Sequence, residues 1–257
     1  MLLAIDSGNT NVVFAIYDED RLRGSWRSST DARRTADEYA VWLTQLMALD
    51  GLAPDDIDHA IIANVVPEAL PSLEALCQRY FGVGALKVGD PAVRLGIEVH
   101  IDRPEQVGED RLVNAVAAHE RYGGPLIVID FGTATTFDVI DARGDYRGGV
   151  IAPGVTLSVE ALYLAAAKLP RISIERHSTV IGKATVPAMQ SGVYWGYVGL
   201  IEGLVARIKA EYGEPMSVIA TGGLAPLFAE ATDVIEHTDL DLTSRGLMQI
   251  HRRNLGT

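Results

Sequence analysis

The chain has 257 residues, 48% of them hydrophobic, and 22 Lys and Arg against 34 Asp and Glu give a formal net charge of −12. That length suits one large domain or two ordinary ones, and the apolar content is ample for a buried core, which excludes a disordered chain. The acidic balance argues against nucleic acid as a partner, because non-specific binding needs Lys and Arg to neutralise phosphates; a local pocket for a small anion remains open. The single cysteine, Cys77, excludes an intramolecular disulfide and a four-thiolate zinc site. Within Leu73-Glu74-Ala75-Leu76-Cys77 it reads as a small core residue. The start Met1-Leu2-Leu3-Ala4-Ile5-Asp6 lacks a basic segment, and no uncharged run reaches membrane-spanning length. A cytoplasmic location with no membrane partner is expected.

In chain order, Ile5 leads an apolar strand into Asp6-Ser7-Gly8-Asn9-Thr10-Asn11, and a second β-rich strand runs from Val12 to Tyr17. A charged turn from Asp18 to Gly24 leads to a third strand. Thr35-Ala36-Asp37-Glu38 reads as a capping box opening a helix that ends near Gly51. Ala60 to Val66 is a buried-type strand, and Pro67 starts another helix that ends near Gly82. Asp110 to Tyr122 carries apolar residues at helical spacing and stops at Gly123-Gly124.

The pattern then repeats. Ile129-Asp130-Phe131-Gly132-Thr133-Ala134-Thr135-Thr136-Phe137 resembles the segment that begins at Ile5, and a charged, Gly-containing turn from Asp141 to Gly149 follows. Helices are expected over 154–168 and roughly 185–212, the latter closed by Gly213. Ser217 to Gly223 is a strand ending in Gly-Gly, and a last helix covers about 243–254. The order of elements suggests a mixed α/β chain of two duplicated lobes with a cleft between them. Residues 1–118 form the first lobe, with 243–257 available to complete it, and 119–242 form the second. In the long helix, Gly192, Gly196, Gly199 and Gly203 share one face. Four interior glycines weaken a helix by roughly 4 kcal/mol unless close packing compensates, against a strand of the same chain or a partner helix.

Common nucleotide motifs are absent. Gly182-Lys183 resembles the end of a P-loop, but the first Gly it requires falls at His177 and residue 184 is Ala. There is no Gly-x-Gly-x-x-Gly after a strand and no His-Glu-x-x-His. What remains is the Asp-x-Gly pair. A strand–Asp-x-Gly–strand hairpin presents backbone N–H groups and small polar side chains to phosphate, and Gly permits close approach. The Asp would repel phosphate directly, so it acts through Mg²⁺ or water. A single copy reads as an ordinary tight turn; two copies plus Thr221-Gly222-Gly223 favour nucleotide binding.

Together these motifs resemble the superfamily of acetate kinase, hexokinase, heat-shock chaperones and actin, which implies duplicated ribonuclease-H-like, actin-like lobes with an interlobe nucleotide cleft. A closer resemblance, to type III pantothenate kinases, is carried by Asp6-Ser7-Gly8-Asn9-Thr10-Asn11, Gly108-Glu109-Asp110-Arg111, Asp130-Phe131-Gly132-Thr133-Ala134-Thr135, Ile181-Gly182-Lys183 with Thr185, Gln190-Ser191-Gly192 and Thr221-Gly222-Gly223. It implies ATP-dependent phosphorylation of pantothenate, the first step toward coenzyme A. It implies that Asp6, Ser7, Gly8, Asn9, Thr10, Asn11, Thr133, Gly222 and Gly223 bind ATP, with Asp6 reaching Mg²⁺ through the nucleotide. Asp110 would be the catalytic base, Gly108, Glu109, Arg111 and Thr185 would complete the pantothenate pocket, and Asp130 would hold a monovalent cation, potassium or ammonium. Thr185 matches a position that reaches across a homodimer, which makes the helix 185–212 the expected interface. Independently of the family, Asp110 opens a helix beside Arg111, which favours an ionised carboxylate able to accept a hydroxyl proton. The family usually has Tyr where Ile101 stands; His100 is expected to compensate. The competing readings are a kinase of the same fold with another acceptor, an ATP-binding regulatory protein, and a ribonuclease-H-like nuclease.

Overall fold

The computed structural model describes residues 1–166, 169–176 and 178–255. His177 and the last two residues of the helix expected over 154–168 lie outside the described residues, as do positions 256 and 257. Two compact units account for the chain: Met1–Glu98 with Asp102–Glu120 and Asp241–Thr257, and Val99–Ile101 with Arg121–Leu240.

The first unit is built on β1 (Leu2–Ser7), β2 (Asn11–Asp18), β3 (Arg21–Ser29), β4 (His59–Asn64) and β5 (Ala85–Lys87), in sheet order β3-β2-β1-β4-β5. β1 to β3 form an antiparallel meander, while β4 lies parallel to β1. Alternation along β1 sends Leu3 and Ile5 to one face and Leu2 and Ala4 to the other, and both faces are covered. On the first face α1 (Ala36–Leu49) contributes Tyr39, Leu43 and Met47, and α2 (Leu70–Tyr80) contributes Leu73, Leu76 and Cys77. On the second, α3 (Glu109–Tyr122) supplies Val113 and Val116. The second unit is built on β6 (Leu126–Phe131), β7 (Ala134–Ile140), β8 (Tyr146–Pro153), β9 (Ser217–Gly222) and β10 (His237–Thr238), ordered β10-β9-β6-β7-β8. α4 (Val155–Ala165), α5 (Thr185–Tyr212) and α6 (Ala225–Ala229) complete it. Tyr194, Val198 and Ile201 of α5 and Phe228 of α6 pack on Ile127 and Ile129.

The two sheets have the same connectivity, as the duplicated actin-like fold requires. Even the irregularity recurs: the β2–β3 register shifts between Ile16 and Tyr17, and the β7–β8 register between Val139 and Ile140. A bulge at matching places bends both meanders alike. The capping box at Thr35 forms, with the Glu38 N–H donating to Thr35 Oγ1 and the Thr35 N–H to Glu38 Oε2. α5 ends at Gly213 with φ of 84°, a left-handed cap that glycine adopts without strain. The helix expected from Pro67 begins differently: Pro67–Ala69 form a 3-10 turn and the α-helix starts at Leu70, with Pro71 next. Among the described residues no helix is long and apolar enough to cross a membrane.

The last helix, α7 (Leu242–Asn254), packs on β1 and β4 through Leu247 and Ile250. It carries His251, 5% exposed, whose ring centroid lies 4.8 Å from that of His59. Burial, then the neighbouring His59 and Arg252, push the His251 pKa down to about 4. A histidine held neutral in the fold binds its proton more readily in the unfolded chain. Stability is therefore lost as pH falls from the ordinary value of 6.5 toward the folded value. Denaturant titrations should show about 2 kcal/mol lost between pH 7 and pH 5, at roughly 1.4 kcal/mol per pKa unit, and His251→Gln should flatten that slope.

Candidate active site

In open α/β sheets, ligands gather at the carboxyl ends of the parallel strands. In the first unit that edge is formed by the ends of β1, β4 and β5. β1 runs into a four-residue turn, Gly8 to Asn11, closed by the Gly8 N–H donating to Asn11 O at 3.0 Å. A Cβ on Gly8 would lie 3.3 Å from that oxygen, tighter than side chains normally pack. Asn9 and Thr10 are exposed at the tip. Asp6 shares a face with Ala4, the face that α3 covers, whereas Ser7 shares the opposite face with Ile5. Ser7 is fully buried, and its carbonyl accepts the Val65 N–H at 3.0 Å.

The start of α3 reaches the same edge. Glu109 Oε2 accepts the N–H of Asn64, the last residue of β4, at 2.8 Å. On its other side is Gly89, with φ of 92°, where a Cβ would lie 2.6 Å from Glu109 Oε1. Glu109 thus ties the helix start to the sheet edge. Gly108 caps the helix, its carbonyl accepting the Arg111 N–H at 3.1 Å, and Asp110 Oδ1 accepts the same N–H at 2.8 Å. Asp110 is half-buried. Its pKa is raised: loss of solvent outweighs the Arg111 N–H and the Arg111 charge, which both pull it down. Burial likewise raises the Glu109 pKa, against the Asn64 N–H and helped by the Asp110 charge. A carboxylate whose pKa lies above the usual range is a stronger proton acceptor once ionised.

In the second unit the β6–β7 turn is one residue shorter, Gly132 to Ala134, closed by the Gly132 N–H donating to Ala134 O at 3.0 Å. Thr133 is exposed, and its carbonyl accepts the Gly154 N–H at 3.1 Å. Asp130 lies in register with Thr136 on one side and Thr221 on the other. Gly222 ends β9 at φ of 88°, and a Cβ there would lie 2.7 Å from both Asp130 Oδ1 and Phe131 O. Only hydrogen fits between them. Gly223 is exposed with nothing within 4 Å of a Cβ, leaving open space over bare backbone.

The structure thus gathers Asp6 to Asn11 with Gly108 to Arg111 on one sheet edge, and Asp130, Thr133, Gly222 and Gly223 on the equivalent edge of the other unit. Thr185 is the exposed first residue of α5; behind it Gly182 packs directly on Pro187 and Ala188. His100 Nε2 is 3.6 Å from Asp145 Oδ2, and the His100 N–H donates to Tyr146 O. Ile101 reaches toward Gly148, 3.6 Å from where a Cβ would stand. Sequence reasoning missed Asn64 and Gly89. The signal for Gly89 was its place in a Gly-Asp-Pro turn; Asn64 had only its position at a strand end.

The Type III pantothenate kinase family matches residues 2–207. A type III pantothenate kinase of Paramagnetospirillum magneticum is 68% identical over 254 residues, covering 99% of this chain and 98% of that protein. One of Rhodospirillum rubrum is 67% identical, covering 99% of each. Among solved structures, a Sinorhizobium meliloti protein described as a 2-dehydro-3-deoxygalactonokinase has a TM-score of 0.61 at 16% identity over 100% of this chain and 98% of that one, which bears on the fold alone. The family match and the two relatives carry the identification: this chain belongs to the type III pantothenate kinase family.

Proposed function

We propose that this protein transfers the terminal phosphoryl group of ATP to the primary hydroxyl of pantothenate, giving 4′-phosphopantothenate for coenzyme A synthesis in the cytoplasm. The observation that carries the reading is Asp110: a half-buried carboxylate with a raised pKa at the start of α3, on the sheet edge that also holds the Gly8 turn, in a chain of this family. Phosphoryl transfer passes through a loose transition state, so positioning and charge neutralisation outweigh proton abstraction. The Gly8 turn and Thr133 hold ATP phosphates by backbone N–H groups and small side chains, and Gly222-Gly223 gives the adenosine a flat backbone surface. The pantothenate oxygen bonds to the γ-phosphorus as the bond to the ADP oxygen breaks, and its proton passes to an Asp110 carboxylate oxygen. Gly108, Glu109 and Arg111 shape the acceptor pocket. Asp6 faces Mg²⁺ carried by the nucleotide, and Asp130 holds potassium or ammonium; a bound cation supplies positive charge against the phosphates.

The reading includes a homodimer through α5, where Thr185 reaches the partner's pantothenate. Gly192, Gly196 and Gly199 are exposed, and a Cβ on any of them would meet nothing within 4 Å, so no close approach among the described residues offsets their helix penalty of about 1 kcal/mol each. A partner helix is the remaining source of that compensation. Light scattering on a sizing column should give twice the chain mass, and Gly196→Glu should halve it; a monomeric wild type would remove the role given to Thr185.

Incubating the protein with MgATP and a panel of acceptors tests the activity. ADP release that appears with pantothenate and not with hexoses, acetate or sugar acids supports the reading. Release with another acceptor, or ATP binding without release, would replace it.

A further inference from the structure

The turn that follows β1 is held from outside as well as across itself. Thr30, one residue beyond β3, donates its hydroxyl to Gly8 O at 2.6 Å and its N–H to Thr10 O at 2.9 Å. One half-buried residue therefore engages two of the turn's carbonyls. Each peptide is planar and trans, so a carbonyl turned toward Thr30 leaves the next N–H pointing the opposite way. Fixing Gly8 O and Thr10 O thus orients the N–H groups of Asn9 and Asn11 away from β3. It also holds two carbonyl dipoles that would repel an anion.

We infer that Thr30 is a positioning residue for the phosphate turn, pre-orienting the N–H groups that receive the ATP phosphates. The inference rests on reading the Gly8 turn as a phosphate-binding turn. Thr30 touches no reacting atom; its effect reaches ATP through the Gly8–Asn11 backbone. The hydroxyl is the separable part, because any residue other than proline retains the N–H bond to Thr10.

The test is steady-state kinetics on the full-length wild type, Thr30→Val, Thr30→Ala and Thr30→Ser, with melting temperatures alongside. Val keeps the branched shape and loses only the hydrogen bond, worth about a factor of ten. KM for ATP should rise about 10-fold in Val and Ala, with KM for pantothenate unchanged, and Ser should restore the wild-type value. If Val fails to fold, the Ala and Ser pair carries the same comparison. Wild-type KM for ATP in folded Val and Ala variants would overturn the clamp while leaving the functional reading intact. Equal rises for both substrates that Ser does not rescue would reduce Thr30 to a general structural role and overturn it too. A wild type that binds no ATP would overturn the phosphate-turn reading, and the clamp with it.

Discussion

Asp110→Asn is expected to lower kcat about 100-fold, at the low end of general-base effects because a loose transition state leaves the base a modest share. KM for ATP should barely move, since the proposed role of the carboxylate is toward the acceptor. The variant should be as stable as the wild type or more so at neutral pH. A carboxyl whose pKa is raised in the fold opposes folding once ionised, and Asn retains the oxygen that accepts the Arg111 N–H. Activity loss without stability loss separates chemistry from folding. The same raised pKa predicts that wild-type kcat/KM declines on the acid side through a value above the 3.8 of an ordinary aspartate. An acid limb at or below that value would mean that burial does not govern this group.

Gly222→Ala is the second large effect. At φ of 88° a non-glycine residue is strained by about 1–2 kcal/mol, and the new methyl would sit 2.7 Å from both Asp130 Oδ1 and Phe131 O. Overpacking of that kind adds roughly 1–3 kcal/mol, and moving the Asp130 carboxylate by even an ångström should reduce kcat/KM about 100-fold. Gly223→Ala provides the contrast. Its φ is unexceptional and its Cβ position is open, so the fold should be unaffected and any change should fall on KM for ATP. Matching losses in the two variants would contradict the distinct roles drawn for the paired glycines.

What could be read in advance followed the local strength of the signal. Thr35 and Glu38 announce a helix start because two side-chain-to-backbone bonds need that spacing, and Gly213 announces an end because its backbone is left-handed. The Asp-x-Gly repeats marked both hairpins. β5 and β10 escaped because strands of three and two residues carry no period, and their pairing with β4 and β9 is a tertiary matter. Pro67 was readable as a helix start but not as a 3-10 turn, which depends on Pro71 just beyond it. At the candidate site, the strand ends and helix start that carry the residues were legible and their environment was not. Arg111 next to Asp110 pointed to an ionised carboxylate, whereas the rise in its pKa comes from burial, which depends on the folded surroundings. The sealed Ser7 hydroxyl and the Thr30 bonds likewise arise only once β1, β2 and β3 are aligned.

The central claim is that this chain phosphorylates pantothenate. Mass spectrometry of the product from pantothenate and MgATP, with potassium or ammonium present and then replaced by sodium, tests it most directly. One 4′-phosphopantothenate per ADP formed, dependent on potassium or ammonium, is the expected result. ADP formed without phosphorylated pantothenate, or none formed by protein that binds ATP, would contradict it.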